Sequence, residues 1–327
     1  MTFAAPFDTW FPDAEFDGSY GFALDALRAV APVPRDGRFS AQWRRWRAEA
    51  RRVAPAARVL SSEVRDGRRI SVIEHAAADG IRVRAWVVEP ADAAATIGVV
   101  HGHGYGGRDA VDLRRVPADA AAIFPVARGL GALNVDVGAP EERAAHVTGG
   151  LDDPDRTIIG LCARDLWLAA DALGEIAGPL PLYYVGESFG GGIGALALPW
   201  DERYVGATLI VPTFGQYDER LAVPCLGSGE HQRTWVRAHP EGRDRLRLFD
   251  ASTAALGIRI PVRVEAALWD QYVPPQGQFA VANAIADLEL AVLPAGHAEY
   301  PGGEEVTEDA IAGGTAHLRR AIARARG

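Results

Sequence analysis

The sequence predicts an α/β fold with a mainly parallel central sheet flanked by helices. Three observations carry that expectation. Apolar runs of strand length alternate with longer helix-like stretches through most of the chain. Most of these runs are apolar throughout rather than alternating, as strands buried on both faces are. They close in Gly, Pro, Ser, Asp or His.

The elements follow in order. Residues 1–60 are tryptophan-rich and read as an N-terminal helical extension, with Ser40 as the N-cap of a helix over AQWRRWRAEARRV. The basic stretch RRWRAEARR (44–52), broken by tryptophan, alanine and glutamate, reads as a solvated helix face. IRVRAWVVEP (81–90) alternates and ends in proline, like a half-buried strand. Strands are further expected at 96–104, 130–138, 180–188, 205–212, 261–270 and 288–297. Helices are expected over PADAAAIFPVARG (117–129), GLCARDLWLAADALGEIAG (160–178), PPQGQFAVANAIAD (274–287) and the C-terminal stretch from 308. Residues 213–255 interrupt this rhythm with a helical insertion, read as a cap over the site within one domain spanning 1–327.

Composition limits the function. With 34 basic and 43 acidic residues the net charge is −9, which argues against nucleic acid or an anionic membrane as partner. Two cysteines make no disulfide framework. The first residues lack a signal-peptide pattern, and no apolar run approaches the roughly 18 residues of a membrane span. A cytoplasmic protein is the expectation.

Chemistry is concentrated around LYYVGESFGGGIG (182–194). Ser188 follows an apolar strand and precedes a run of small residues, the strand-turn-helix of a Gly-x-Ser-x-Gly nucleophile elbow. Bulk at Gly186 or Gly190 would clash at so sharp a turn. A serine hydroxyl needs a base, and histidine suits neutral pH. Of the histidines at 75, 101, 103, 146, 231, 239, 297 and 317, His297 ends the last strand run, as the order Ser…Asp/Glu…His requires. His317 reads as a surface position in the final helix, and His231 and His239 as solvated. Asp270 leaves the preceding strand, with room for one helix and one strand before His297. It would orient the imidazole and stabilise imidazolium. Asp250 reads as a helix cap, and Glu299 stands too close to His297. Oxyanion stabilisation needs backbone donors. One is the N–H of Phe189; a second is expected from VVHGHGYGG (99–107). His101 and His103 are a weaker metal reading, since a strand end points them to opposite faces with no third ligand nearby. Neither a metal nor a cofactor is expected.

On these residues the chain resembles the acetyl xylan esterase/cephalosporin C deacetylase family of α/β-hydrolases. GLDDPDRTIIGLCARDLWLAADAL (150–173) is similar to the family's Leu-Asp-Pro stretch and following helix. VPTFGQYDER, ALWDQYVPP and GHAEY recur in order, and the resemblance runs from about residue 10 to the C-terminus. It implies an α/β-hydrolase fold, with Ser188 as nucleophile, Asp270 as acid, His297 as base, and the Tyr105 and Phe189 amides as oxyanion donors. It implies a serine carboxylesterase cleaving small acyl esters, chiefly acetyl esters of sugars or similar alcohols, through an acyl-enzyme. A prolyl-peptidase-like amidase and a non-catalytic hydrolase-fold binder are the alternatives. Family members often form homo-oligomeric rings, which leaves a homo-oligomer open here. Three departures stand out. Phe189 replaces the family's elbow glutamine, expected to make the pocket mouth more apolar. The Arg-Gly-Gln-Gly-Ser motif, which would fall near 136–143, is absent. The His-Glu pair is His297-Ala298.

Overall fold

The computed structural model describes residues 7–326. Its centre is a nine-stranded sheet: β1 (Arg58–Arg65), β2 (Arg68–Ala76), β3 (Arg82–Pro90), β4 (Ile97–Gly102), β5 (Ala120–Pro125), β6 (Leu182–Glu187), β7 (Tyr204–Ile210), β8 (Val262–Ala267) and β9 (Leu288–Leu293). The spatial order is β1-β2-β3-β5-β4-β6-β7-β8-β9. The pairs β1–β2, β2–β3 and β3–β5 are antiparallel; from β5 to β9 every pair is parallel. The expectation of a mainly parallel sheet therefore holds.

The helices are α1 (Phe7–Trp10), α2 (Leu24–Arg28), α3 (Gly37–Ala50), α4 (Gly131–Asn134), α5 (Arg143–Thr148), α6 (Ile158–Ala177), α7 (Phe189–Ala197), α8 (Tyr217–Arg220), α9 (Ser228–Ala238), α10 (Gly242–Arg247), α11 (Ala251–Ala255), α12 (Pro275–Asn283) and α13 (Gly303–Arg326). One core joins α3, α6, α7 and α12 to one face of the sheet. A smaller one forms where Leu318, Ala321 and Ile322 of α13 meet Tyr183 and Val185 on the other. Each large aliphatic side chain buried in this way, such as Leu318 or Ile322, contributes roughly 1.5–3 kcal/mol of transfer free energy.

Several sequence expectations need correction. Residues 117–129 were expected to be helical, yet Ala120–Pro125 is strand β5, fully buried from Ala120 to Phe124. Small side chains let it pair with β3 and β4 in the crowded centre, and that packing overrides alanine's helix propensity. The strand expected at 130–138 is instead the single turn α4 and a loop. Gly129 and Gly131 there have φ of 74° and 63°, which no extended strand accommodates. β1 and β2 were not expected; β1, exposed at every residue, has no buried face to reveal it.

The α3 cap is Asp36, which accepts the Phe39 N–H at 2.8 Å, and Ser40 lies inside the helix. The basic stretch is a solvated face only in part: Arg44, Arg45, Arg51 and Arg52 are exposed. Trp43, Trp46 and Arg47 are buried, and Arg47 pairs with Asp201 at 3.3 Å. His317, too, is buried, its Nδ1 2.6 Å from the Tyr183 hydroxyl. Residues 213–255 hold α8 to α11, between β7 and β8. Asp250 caps α11 through the Thr253 N–H, as its sequence position suggested. Among the described residues no helix is long and apolar enough to cross a membrane.

Candidate active site

Ser188 stands alone between β6 and α7. Its φ of 51° and ψ of −106° are strained for a residue with a Cβ, at a cost of roughly 1–3 kcal/mol. Flanking hydrogen bonds hold it there: its N–H donates to the Ile210 carbonyl at 2.8 Å, and its carbonyl accepts from Gly192 at 3.0 Å and Thr213 at 3.1 Å. The glycines of the elbow are required by contact. A Cβ on Gly186 would stand 2.6 Å from the Gly190 carbonyl, and one on Gly190 would stand 2.7 Å from the Gly102 carbonyl carbon.

The loops after β8 and β9 bring the other two residues to the same sheet edge. His297 Nε2 lies 2.9 Å from Ser188 Oγ, and its Nδ1 lies 2.7 Å from Asp270 Oδ2. Asp270 is fully buried, so its charge must be met by donors. Oδ1 accepts the N–H groups of Tyr272 at 2.8 Å and Val273 at 3.0 Å. Oδ2 accepts His297 and the Gln278 amide, the latter at 3.0 Å. An acceptor-only carboxylate at Nδ1 places the ring proton there and leaves Nε2 as the acceptor for the serine hydroxyl. Burial alone would depress the His297 imidazole. The Asp270 charge and hydrogen bond outweigh it and raise the pKa above 6.5, with Glu187 adding to the lift.

The loop after β4 lies over the nucleophile, close enough that a Cβ on Gly104 would be 3.9 Å from that of Ser188. Among the described residues the N–H groups of Tyr105 and Phe189 have no acceptor. Phe189 is the first residue of α7, where helix geometry provides none. His103 helps shape this loop: its Nδ1 donates to the Gly104 carbonyl at 2.6 Å and its Nε2 accepts the Ala127 N–H at 2.9 Å. Both ring nitrogens are thus engaged by backbone. Arg108 donates to His101 Nδ1 at 3.1 Å. Among the described residues no group of three or more His, Cys, Asp and Glu is placed to hold a metal ion.

A cavity of about 240 Å³ opens above Ser188, lined by Tyr105, Arg143, Glu187, Ser228, Tyr272 and His297, among others. The insertion contributes Thr213, Gly227 and Ser228 to its wall. Phe189 contributes no side chain to it. Its ring is 1% exposed and packs among His103, Tyr105, His146 and Phe214. The expectation that this residue makes the pocket mouth apolar is therefore corrected.

The family model described as acetyl xylan esterase (AXE1) matches residues 22–311. The chain belongs to the acetyl xylan esterase family. Membership makes it a serine ester hydrolase with a small-molecule ester as substrate. Two solved structures resemble this acetyl xylan esterase family member along nearly its whole length. The acetyl xylan esterase from Paenibacillus sp. R4 superposes with a TM-score of 0.76 at 22% identity, covering 89% of this chain and 99% of that one. Acetyl xylan esterase 1 from Thermoanaerobacterium sp. JW/SL YS485 gives 0.74 at 22% identity, covering 90% and 98%. A puromycin hydrolase gives 0.57 at 17% identity, with 80% of this chain covering 47% of that protein. At these identities the likeness is one of fold, the α/β-hydrolase fold. No curated protein sequence matches the chain.

Correcting β5 also relocates a family motif. The motif expected to be absent is partly kept: two residues separate the end of that strand from Arg128-Gly129-Leu130-Gly131-Ala132, which has the arginine and both glycines of Arg-Gly-Gln-Gly-Ser. Arg128 is buried between Asp79 at 2.7 Å and Asp165 at 2.8 Å. Sequence reasoning also missed Gln278, because a glutamine eight residues beyond the acid carries no motif. Its amide donates to Asp270 and to the Val273 carbonyl at 2.7 Å, and its oxygen accepts the Ala267 N–H at 2.8 Å.

Proposed function

We propose that this family member is an acetyl esterase in which Ser188, His297 and Asp270 act as a catalytic triad. One observation carries the reading: the unbroken chain from Ser188 Oγ through both His297 nitrogens to a buried carboxylate, at 2.9 and 2.7 Å. His297 takes the hydroxyl proton as Ser188 attacks the ester carbonyl. The new oxyanion rests on the Tyr105 and Phe189 N–H groups, which have no acceptor among the described residues. His297 then gives its proton to the leaving alcohol. Water, deprotonated by the same nitrogen, attacks the acyl-enzyme and releases the acid. Asp270 holds the ring and balances its charge throughout. None of these steps calls on a cofactor.

The small cavity suits a short acyl group, and polar groups at its mouth suit a sugar or similar alcohol. Acetylated sugars are the substrate class favoured by this reading, cephalosporin-type acetyl esters included. The insertion, as part of the cavity wall, acts as the cap of a single-domain enzyme that works in the cytoplasm. A homo-oligomer is part of the proposal. Its motive is β1, an edge strand exposed along its whole length with Val59, Leu60 and Val64 uncovered.

The test is hydrolysis of nitrophenyl esters from acetate to octanoate by wild type and Ser188→Ala. Activity should fall with chain length and vanish in the variant. A folded wild type without activity would overturn the assignment. Matched ester and amide substrates distinguish an esterase from an amidase.

A further inference from the structure

The side chain of Tyr105 is tied to a histidine that the mechanism does not use. The Tyr105 hydroxyl lies 2.7 Å from His146 Nδ1, and His146 Nε2 lies 2.9 Å from the Arg128 carbonyl. A carbonyl only accepts, so the ring proton sits on Nε2 and Nδ1 receives the tyrosine proton. Direction along the chain is thereby fixed: Tyr105 donates to His146, and His146 donates to Arg128. The far end is rigid, because Arg128 is 1% exposed and clamped by Asp79 and Asp165.

The rings tell the same story. Tyr105 meets Phe189 edge-on at 4.9 Å, and His146 packs 5.4 Å from Tyr105 and 6.1 Å from Phe189. The two residues proposed as oxyanion donors thus touch through their side chains, and both touch fully buried His146. Phe189 stands where the family's elbow resembles Gly-x-Ser-Gln-Gly, so part of this contact belongs to the chain's own sequence. Tyr105 itself lies in Gly104-Tyr105-Gly106-Gly107, a segment with little intrinsic backbone preference. Some tether is needed to keep its N–H on target before substrate arrives.

We propose that His146 is the positioning residue of the oxyanion hole, fixing the Tyr105 N–H through the tyrosine hydroxyl and the Phe189 ring. The proposal rests on the reading of Ser188 as nucleophile. Charge on the carbonyl oxygen grows only toward the transition state, so a loosened donor lowers kcat and leaves KM nearly unchanged.

The experiment compares His146→Leu, His146→Gln, Tyr105→Phe and the double variant Tyr105→Phe/His146→Leu on nitrophenyl acetate, with melting curves for each. His146→Leu and Tyr105→Phe should each lower kcat roughly 10- to 100-fold, the range expected when a donor shifts by about 1 Å. KM should stay within about twofold. The double variant should be no worse than the poorer single, because both remove one bond. His146→Gln, whose amide can accept from Tyr105 and donate to Arg128, should recover most of the rate. Additive losses, an effect on KM alone, a failed glutamine rescue, or lower melting temperatures at full kcat would each overturn the assignment. Should His146→Leu not fold, Tyr105→Phe and His146→Gln carry the test. A wild type that hydrolyses no ester brings down the functional reading and this assignment together. An active enzyme indifferent to the substitutions overturns the assignment alone.

Discussion

The Gly18 carbonyl accepts a 2.9 Å hydrogen bond from the backbone N–H of Asp270. The N-terminal extension therefore reaches the proposed catalytic acid across the chain. Neighbouring contacts reinforce it: Gln271 donates to the Phe16 carbonyl at 2.6 Å, and Phe11 stacks on Trp269 at 3.8 Å. The extension braces the loop that presents the carboxylate to His297.

Gly18→Val tests that brace. Even a Cβ at this position would stand 2.7 Å from the Trp269 indole, so the strand of contacts must open. Overpacking of this kind costs roughly 1–3 kcal/mol. We expect a lower melting temperature and a kcat reduced about tenfold, read by steady-state kinetics beside a thermal melt. Unchanged kcat in the folded variant would show that the brace is dispensable to catalysis.

Asp270→Asn should keep the fold and lower kcat by about 10⁴, the size seen when a triad histidine loses the acceptor that fixes its tautomer. Gln278→Leu acts one step further out. It leaves the Ala267 N–H and Val273 carbonyl without their side-chain partner, at about 1–3 kcal/mol each. A loss of stability larger than the loss of rate is the expected pattern for Gln278.

The pH dependence has two separate origins. The proposed mechanism requires neutral His297, whose pKa is raised above 6.5, so kcat/KM should fall on the acid side with a midpoint above that value. Asp270→Asn should move the midpoint down. The stability effect runs through other histidines. Burial, with the Arg108 charge, depresses His101 to about 3 and His103 to about 4. Between pH 6.5 and 4 the unfolded chain binds protons at these residues and the folded chain does not. Stability should therefore fall as pH drops through that window, by about 1.4 kcal/mol per pH unit per histidine. Urea midpoints at pH 7.5, 6 and 5 would show it, and a flat series would refute it.

Selectivity should respond to Tyr272 rather than to Phe189. Tyr272 is 39% exposed at the cavity, its ring 5.7 Å from the His297 imidazole proposed to protonate the leaving alcohol. Tyr272→Ala should raise KM for acetylated sugars several-fold more than for nitrophenyl acetate. Phe189→Gln should instead bury an unpartnered amide, costing about 1–3 kcal/mol, and lower kcat for every ester alike. A shifted ratio between short acyl esters and sugar acetates in Phe189→Gln would return selectivity to the elbow.

The catalytic candidates were legible in the sequence because each carries a local signature. Ser188 sits between small residues after an apolar run, and Asp270 and His297 close consecutive strands. Their order along the chain sufficed to pair them. The errors came where local and global preferences conflict. Alanine-rich β5 looks helical until it lies between β3 and β4, and glycine-punctuated α4 looks like the strand that β5 displaced. β1 and the buried His317 share a different cause: their environments are set by partners more than fifty residues away or by an open edge.

By itself, then, the amino-acid order determined the fold class, the elbow and the candidates for base and acid, since periodicity and turn chemistry are written in neighbouring residues. Tertiary structure alone decided what holds those groups in place. Gly18 on Asp270, Gln278 beneath it, and His146 behind Tyr105 meet across 252, 8 and 41 positions. Such contacts leave no period in the chain, because their energy depends on packing geometry and on satisfying buried polar atoms, which exist only once the sheet has formed.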